Sequence, residues 1–173
     1  MSLGALLQRW WWLRGHRGTL VIAEGARIEG RLWCAGPGTV RIGAGVRLEA
    51  HTAPIELRAA QGAEIVLEEG VVVESGCSIE AVSAVRVGAR SRLGAFSKVI
   101  DNNFHEAAGD HQHRPPSVPV VIEADVSIGP RAIILPGAHV GCGSRIGPAT
   151  VVSRRLPPGV EAAGVPLEIR HPE

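Results

Sequence analysis

Aliphatic residues recur every six positions along much of this chain, and that period constrains the fold more than any other feature. The cleanest run is Ile122, Ile128, Ile134, Val140, Ile146 and Val152, six consecutive rungs without a slip. Earlier runs are Leu67, Val73, Ile79 and Val87, Leu93, Val99, with weaker beginnings at Ile22, Ile28 and at Ile42, Leu48. The phase slips by a few residues between them. A period of six matches neither an amphipathic helix nor a half-buried strand. It suits a short strand and a corner repeated around a prism, three units closing one triangular coil. Four positions after the rungs stand Val126, Ala132, Ala138, Ser144 and Thr150, all small or β-branched, as a narrow interior demands. Glycine follows the rung at Gly129, Gly141 and Gly147, where a corner benefits from a residue without Cβ. Stacking would set like residues about 4.8 Å apart, so each rung buries its methyl groups on the next. The expected fold is an all-β solenoid whose stack is its own core.

Composition agrees. With 22 Gly, 12 Pro and no Tyr, the chain has many tight turns between short aliphatic stretches, which excludes a helical bundle. Eighteen basic against 17 acidic residues leave a charge of +1, so the broad basic field of a nucleic-acid binder is absent. Cys34, Cys77 and Cys142 are odd in number and lack zinc-ligand spacing, which points to a reducing, cytoplasmic setting. The opening eighteen residues, MSLGALLQRWWWLRGHRG, differ from the rest: they cluster Leu and Trp beside Arg9, Arg14 and Arg17 with no acid. Interrupted by Gln8 and Arg9, they fit no signal peptide. Residues 1–18 are expected to form a short helix that either caps the repeat stack or lies on the inner face of a membrane, with residues 19–173 as one β-helix domain.

The rungs break at Val99 and resume at Ile122, a gap of 23 residues where 18 would complete a coil. The intervening IDNNFHEAAGDHQHRPPSVPV gathers Asp101, Asn102, Asn103, His105, Glu106, Asp110, His111 and His113 into one polar excursion. Long irregular insertions on a rigid scaffold are favoured places for chemistry. Imidazole titrates near neutrality and suits a general base, but chemistry alone does not choose among His105, His111 and His113. Asp101 would either hold an acceptor hydroxyl or cap the turn, and Asn102, Asn103, His111 and His113 are candidate substrate contacts.

The segment PVVIEADVSIGPRAIILPGAHVGCGSRIGPATVVSRRLPPGVEAAGVPLEIR resembles the C-terminal signature of the hexapeptide-repeat acyltransferases, down to its closing AAGVP. The nearest subgroup is the sugar and lipopolysaccharide O-acetyltransferases. The resemblance is strong over residues 85–171 and weak before residue 60. It implies a left-handed parallel β-helix, a hand that periodicity does not supply. It also implies acetyl transfer from acetyl-CoA to a sugar or other small hydroxyl acceptor, in surface polysaccharide biosynthesis, by a homotrimer with sites between neighbouring β-helices. The subgroup's Asp-x-Asp-Phe-His motif, whose last residue is the general base, is matched here by DNNFH. That match selects His105 and places Asn103 where relatives carry a second acid.

By the same resemblance, Ser153 and Arg154 would meet the nucleotide end of the donor, with Arg155 and Arg170 adding cations at the edge. Relatives line the pantetheine groove with residues that follow two Ile-Gly pairs, and here both are proline, Pro130 and Pro148, which offer no N–H. No metal is expected. Two rival readings remain: a non-catalytic β-helix scaffold, and a zinc enzyme of the γ-type carbonic anhydrase kind using the three loop histidines. Cys77 and Cys142 sit in repeat phase and lack any nucleophile-elbow motif, so they are read as structural.

Overall fold

A computed structural model describes residues 15–103 and 115–170, and every described element is a β-strand or a turn. The strands stack in parallel into a solenoid of seven coils, which fits a left-handed β-helix. One wall is the seven-stranded sheet from Thr19–Ile22 to Arg155–Leu156. The other two walls are continuous in the early coils, because Arg47–Ala59 rounds their shared corner and pairs with both Val72–Glu74 and Ser78–Ala81. The first wall stacks Leu48, Val73, Leu93, Ile128 and Ile146. The second stacks Leu57, Ile79, Val99, Ile134 and Val152. The third stacks Ile42, Leu67, Val87, Ile122, Val140 and Leu156. Every rung read from the sequence beyond Ile28 is buried.

The rung-plus-four positions also point inward. Val126, Ala132 and Ala138 are buried with the core, and Ser91, Ser144 and Thr150 are buried with their hydroxyls satisfied across coils. Ser91 Oγ donates to the Glu123 carbonyl at 2.8 Å and accepts the Val126 amide at 3.0 Å, so a small polar side chain stitches two coils without leaving an orphan group.

The glycines divide into two kinds. Those after a rung, such as Gly129, do not sit in the left-handed region; a Cβ there would lie 2.7 Å from the backbone of Gly147 and Pro148 one coil above. Close approach of coils, rather than corner curvature, is what demands glycine at that position. Curvature is taken up two residues later, where Gly143 has φ 68° and the equivalent Arg90, Phe96, Asp125, Arg131 and Ala149 adopt the same left-handed conformation without being glycine.

The N-terminal helix expected over residues 1–18 lies mostly outside the described residues. Within that stretch Gly15–His16 is already a strand paired with Ala35–Gly36, so the solenoid begins before residue 19. At the opposite end Glu168–Arg170 turns back antiparallel on Glu161–Ala163, and Leu167 and Ile169 pack against the core.

Candidate functional site

The excursion is longer than the sequence count suggests. Lys98–Ile100 lies on the second wall and Val120–Ile122 on the third, so the 23 residues from Val99 to Ile122 replace a step of six, not a coil of 18. Register shows the consequence: Val99 pairs with Ile134, 35 residues on, whereas Ile134 pairs with Val152, 18 residues on. Of this excursion, residues 104–114 lie outside the described residues, and His105, His111 and His113 lie there with them.

Its neck is well defined. Asp101 is fully buried, and its carboxylate accepts three backbone amides of the coil below: Val82 at 2.8 Å, Ser83 at 2.6 Å and Ala84 at 2.8 Å. Three N–H donors converge on one carboxyl group in a site closed to water, where each bond is stronger than in solvent. The Asp101 carbonyl accepts the Val118 amide at 2.9 Å, which ties the outgoing to the returning chain. Asn102, also buried, donates from Nδ2 to the Pro115 carbonyl at 3.2 Å and to Ser117 Oγ at 3.0 Å. Of the two roles open to Asp101, capping the turn is the one its geometry fills. Asn103 is exposed at the point where the described chain ends. The neck thus delivers Asn103 outward from a rigid, doubly tied base, and Ser117 and Pro115 are part of that base although no motif marks them.

The six candidate donor-site positions do not gather at one place: four lie at two corners, and Arg155 and Arg170 lie elsewhere. Pro130 and Pro148 stack at the corner between the first and second walls, both exposed, with the Pro130 carbonyl accepting the Ala149 amide at 2.9 Å. Ser153 and Arg154 sit at the corner between the second and third walls, on the same edge as the excursion neck, and the Arg154 guanidinium donates to the Leu167 carbonyl at 3.4 Å. Arg155 faces outward on the third wall beside His139. Arg170 is elsewhere: with Arg145, Glu161 and Glu168 it lines a cavity of about 350 Å3 over the first wall. The described geometry of one chain therefore keeps Arg170 apart from Ser153 and Arg154, and Arg145 is a cation that sequence reasoning did not single out.

The two prolines have a structural counterpart. Elsewhere a glutamate just after a rung reaches up to the next coil, holding an arginine or histidine nitrogen with one oxygen and a corner amide with the other. Glu68 holds Arg86 and the Ala89 amide, the latter at 3.0 Å. Glu74 holds Arg92 and the Ala95 amide, the latter at 2.7 Å. Glu123 holds His139 Nε2 and the Cys142 amide at 2.8 Å. Above Ala95 the amide position becomes Pro130 and then Pro148, and the residues beneath them are Gly94 and Gly129. Where there is no N–H to hold, there is no glutamate, and Pro130 and Pro148 offer no backbone donor at that corner.

In the third of these clasps the hydrogen bond from His139, followed by that from the Cys142 amide, draws the Glu123 carboxyl below its ordinary value. A similar cause, the paired bonds from Arg90, lowers Asp125. The sequence held a signal for His139, one residue before a rung and one coil above an acid placed one residue after a rung. The cysteines carry no chemistry of this kind: burial pushes the Cys34 thiol up to about 12 and raises Cys77, which points its sulfur at Ser97 Oγ and the Gly94 carbonyl. Cys142 is exposed at a corner.

No family model matches the chain. Among curated proteins it is similar to the 2,3,4,5-tetrahydropyridine-2,6-dicarboxylate N-acetyltransferase of Staphylococcus aureus, 43% identical over 56 residues, which is 32% of this chain and 23% of that protein. The chain thus matches about a quarter of the length of this relative. Among solved structures it resembles the polysialic acid O-acetyltransferase OatWY, with a TM-score of 0.66, 16% identity, and 91% of this chain and 86% of that one covered. A mutant of the N-acyltransferase AntD from Bacillus cereus, in complex with dTDP and coenzyme A, aligns with a TM-score of 0.66 and 17% identity over 99% of this chain and 88% of that one. A putative acetyltransferase from Bacillus cereus gives 0.60 and 20% over 88% and 77%. At these identities the likeness to solved structures is one of fold.

Proposed function

We propose that this protein is an acetyltransferase that moves acetyl from acetyl-CoA onto a hydroxyl of a sugar or other small acceptor, in surface polysaccharide biosynthesis. The observation that carries the reading is the clamped neck: the ladder is interrupted at Asp101 and Asn102, both buried, the first tied to the coil below and the second to the returning chain, and these two residues open the DNNFH stretch. The O- and N-acyltransferases that share this fold, and the short segment at 43% identity to an N-acetyltransferase, support acyl transfer as the reaction class.

In this reading His105 takes the proton from the acceptor hydroxyl as its oxygen attacks the thioester carbon. The tetrahedral oxyanion then collapses, the carbon–sulfur bond breaks, and the CoA thiolate leaves with the proton that the imidazolium returns. Ser153 and Arg154, on the same edge as the neck, would meet the donor's phosphates; the corner at Pro130 and Pro148 would contact pantetheine through shape and carbonyls. We further place the protein in the cytoplasm as a homotrimer, with residues 1–14 as its cap or membrane contact. The names of the curated relative and of AntD favour a second reading in which the acceptor is an amine. Thiol release from acetyl-CoA over a panel of hydroxyl and amine acceptors tests both. His105→Ala should lower turnover by roughly two to four orders of magnitude and leave acetyl-CoA affinity unchanged, because a general base acts in the transition state. Unchanged turnover in that variant would remove the assignment.

A further inference from the structure

A second concavity, of about 260 Å3, opens on the second wall directly beneath the excursion neck. Gly36, Pro37, Ala60 and Val82 border it, and its floor is the outer backbone of Ala59 and Ala81, whose side chains are buried in the core. Two charged groups stand over that floor, Arg58 and Glu80. They are register neighbours in successive coils, yet they do not pair with each other, because Glu80 turns to Lys98 at 3.3 Å. Arg58 is left exposed with no ion pair among the described residues. At the upper rim Val82 gives its N–H to the Asp101 carboxylate, so the hollow and the neck share a residue.

We infer that this hollow binds the anionic group of a hydroxyl-bearing acid, a sugar carboxylate or a sugar phosphate. The inference rests on the acyltransferase reading for its purpose, since the ligand would be the acceptor, but not for its chemistry. A guanidinium fork without a carboxylate of its own matches carboxylate or phosphate geometry in a bidentate contact. A floor of backbone admits a ring rather than filling the space. Glu80, neutralised by Lys98, keeps oxygen acceptors for the ligand's hydroxyls, so an acidic polyol satisfies both sides of the hollow and an uncharged one satisfies only one.

The probes are galacturonate, glucose 1-phosphate and galactose, titrated into the full chain by ligand-observed NMR, with thiol release from acetyl-CoA measured alongside. At least one acid should bind about tenfold or more tightly than galactose, the scale of one charge-assisted contact, and which acid prevails separates carboxylate from phosphate. Arg58→Gln should abolish the difference and Arg58→Lys should keep part of it, with acetyl-CoA affinity and Tm unchanged in both. Equal binding of all three probes by the parent, or acids bound as tightly by Arg58→Gln as by the parent, overturns the inference. If the acids bind through Arg58 while no acceptor supports thiol release, the site stands and the acyltransferase reading falls. If thiol release proceeds without regard to Arg58 or to acceptor charge, the reverse holds.

Discussion

The coils before the excursion and those after it are built to the same cross-section by different means. Early coils are long and uneven: Ile42 pairs with Leu67, 25 residues on, and Leu57 with Ile79, 22 residues on. Later coils tighten to 18 residues, as Ile128 pairs with Ile146, and then to 16, as Val140 pairs with Leu156. The early half fills its corners with charged clasps and long strands. The late half carries more glycine, proline and alanine there and keeps one such clasp, Glu123 with His139. Short coils leave no slack, so the late half relies more on contact between backbones, and the early half more on side chains that reach between coils. The excursion is inserted where the two regimes meet.

The largest expected effect lies at that junction. Asp101→Ala leaves the amides of Val82, Ser83 and Ala84 without their shared acceptor and unties one side of the neck. At roughly 1–3 kcal/mol for each buried amide left unsatisfied, the three together cost on the order of 3–5 kcal/mol after local relaxation, and denaturant melting should show it as a lower midpoint. Asp101→Asn, which keeps one acceptor oxygen, should recover part. A loss below about 1 kcal/mol for the alanine variant would mean that the halves are not joined through this residue.

A smaller difference separates the core of the tight half from the open end of the early one. Ile134→Ala, at a fully buried rung, should cost about 2–5 kcal/mol, while Ile22→Ala, at a position 39% exposed, should cost under about 1 kcal/mol. Equal losses would show that residues 1–14 bury Ile22 as deeply as a coil would. Next comes Gly129→Ala, whose new Cβ would meet backbone one coil above; overpacking there should cost about 1–3 kcal/mol. Gly62→Ala meets nothing within 4 Å and bears only the strain of φ 75°, about 1 kcal/mol. If the two glycine variants lose the same amount, close approach is not what holds the tight half.

The same contrast explains what could be read in advance. The run from Ile122 to Val152 is legible because each wall takes six residues without exception, so the rungs stay in phase through two coils. The early walls are obscured because Arg47–Ala59 runs around a corner as one strand, and a period of six is not visible in a strand of 13 residues. Left-handed corners at Arg90, Phe96 and Asp125 carry no glycine to announce them. The excursion announced itself by interrupting the ladder, but its true length required knowing which wall each side belongs to. The neck was half legible: Asp101 could be named, and its choice of role could not, since the three amides it holds belong to residues 82–84, a coil away in sequence. Arg58 was illegible for the same reason, its significance depending on Glu80 pairing with Lys98 instead.

The smallest effect tests whether a clasp in the late half behaves like those in the early half. Glu68 and Glu74 hold arginine, whose charge is constant across all accessible pH, whereas Glu123 holds His139. The folded Glu123 carboxyl is held below its ordinary value of 4.5, mainly by the bond to His139 and then by the Cys142 amide. A carboxyl whose value is lower folded than unfolded contributes stability that is complete above the unfolded value and disappears as pH falls through the folded one. The contribution should therefore be present at neutral pH and lost on acidification from about 4.5 downward. Both side chains are partly exposed, so solvent screens the pair and the shift in Tm should be modest. Glu123→Gln should lower Tm slightly at pH 7 and by less at pH 3, the two melting curves converging as the parent's carboxyl is protonated. His139→Arg, which copies the early clasps, should match or exceed the parent at pH 7. If Glu123→Gln lowers Tm by the same amount at both pH values, the ionised clasp contributes nothing, and the late half stands on backbone contact alone.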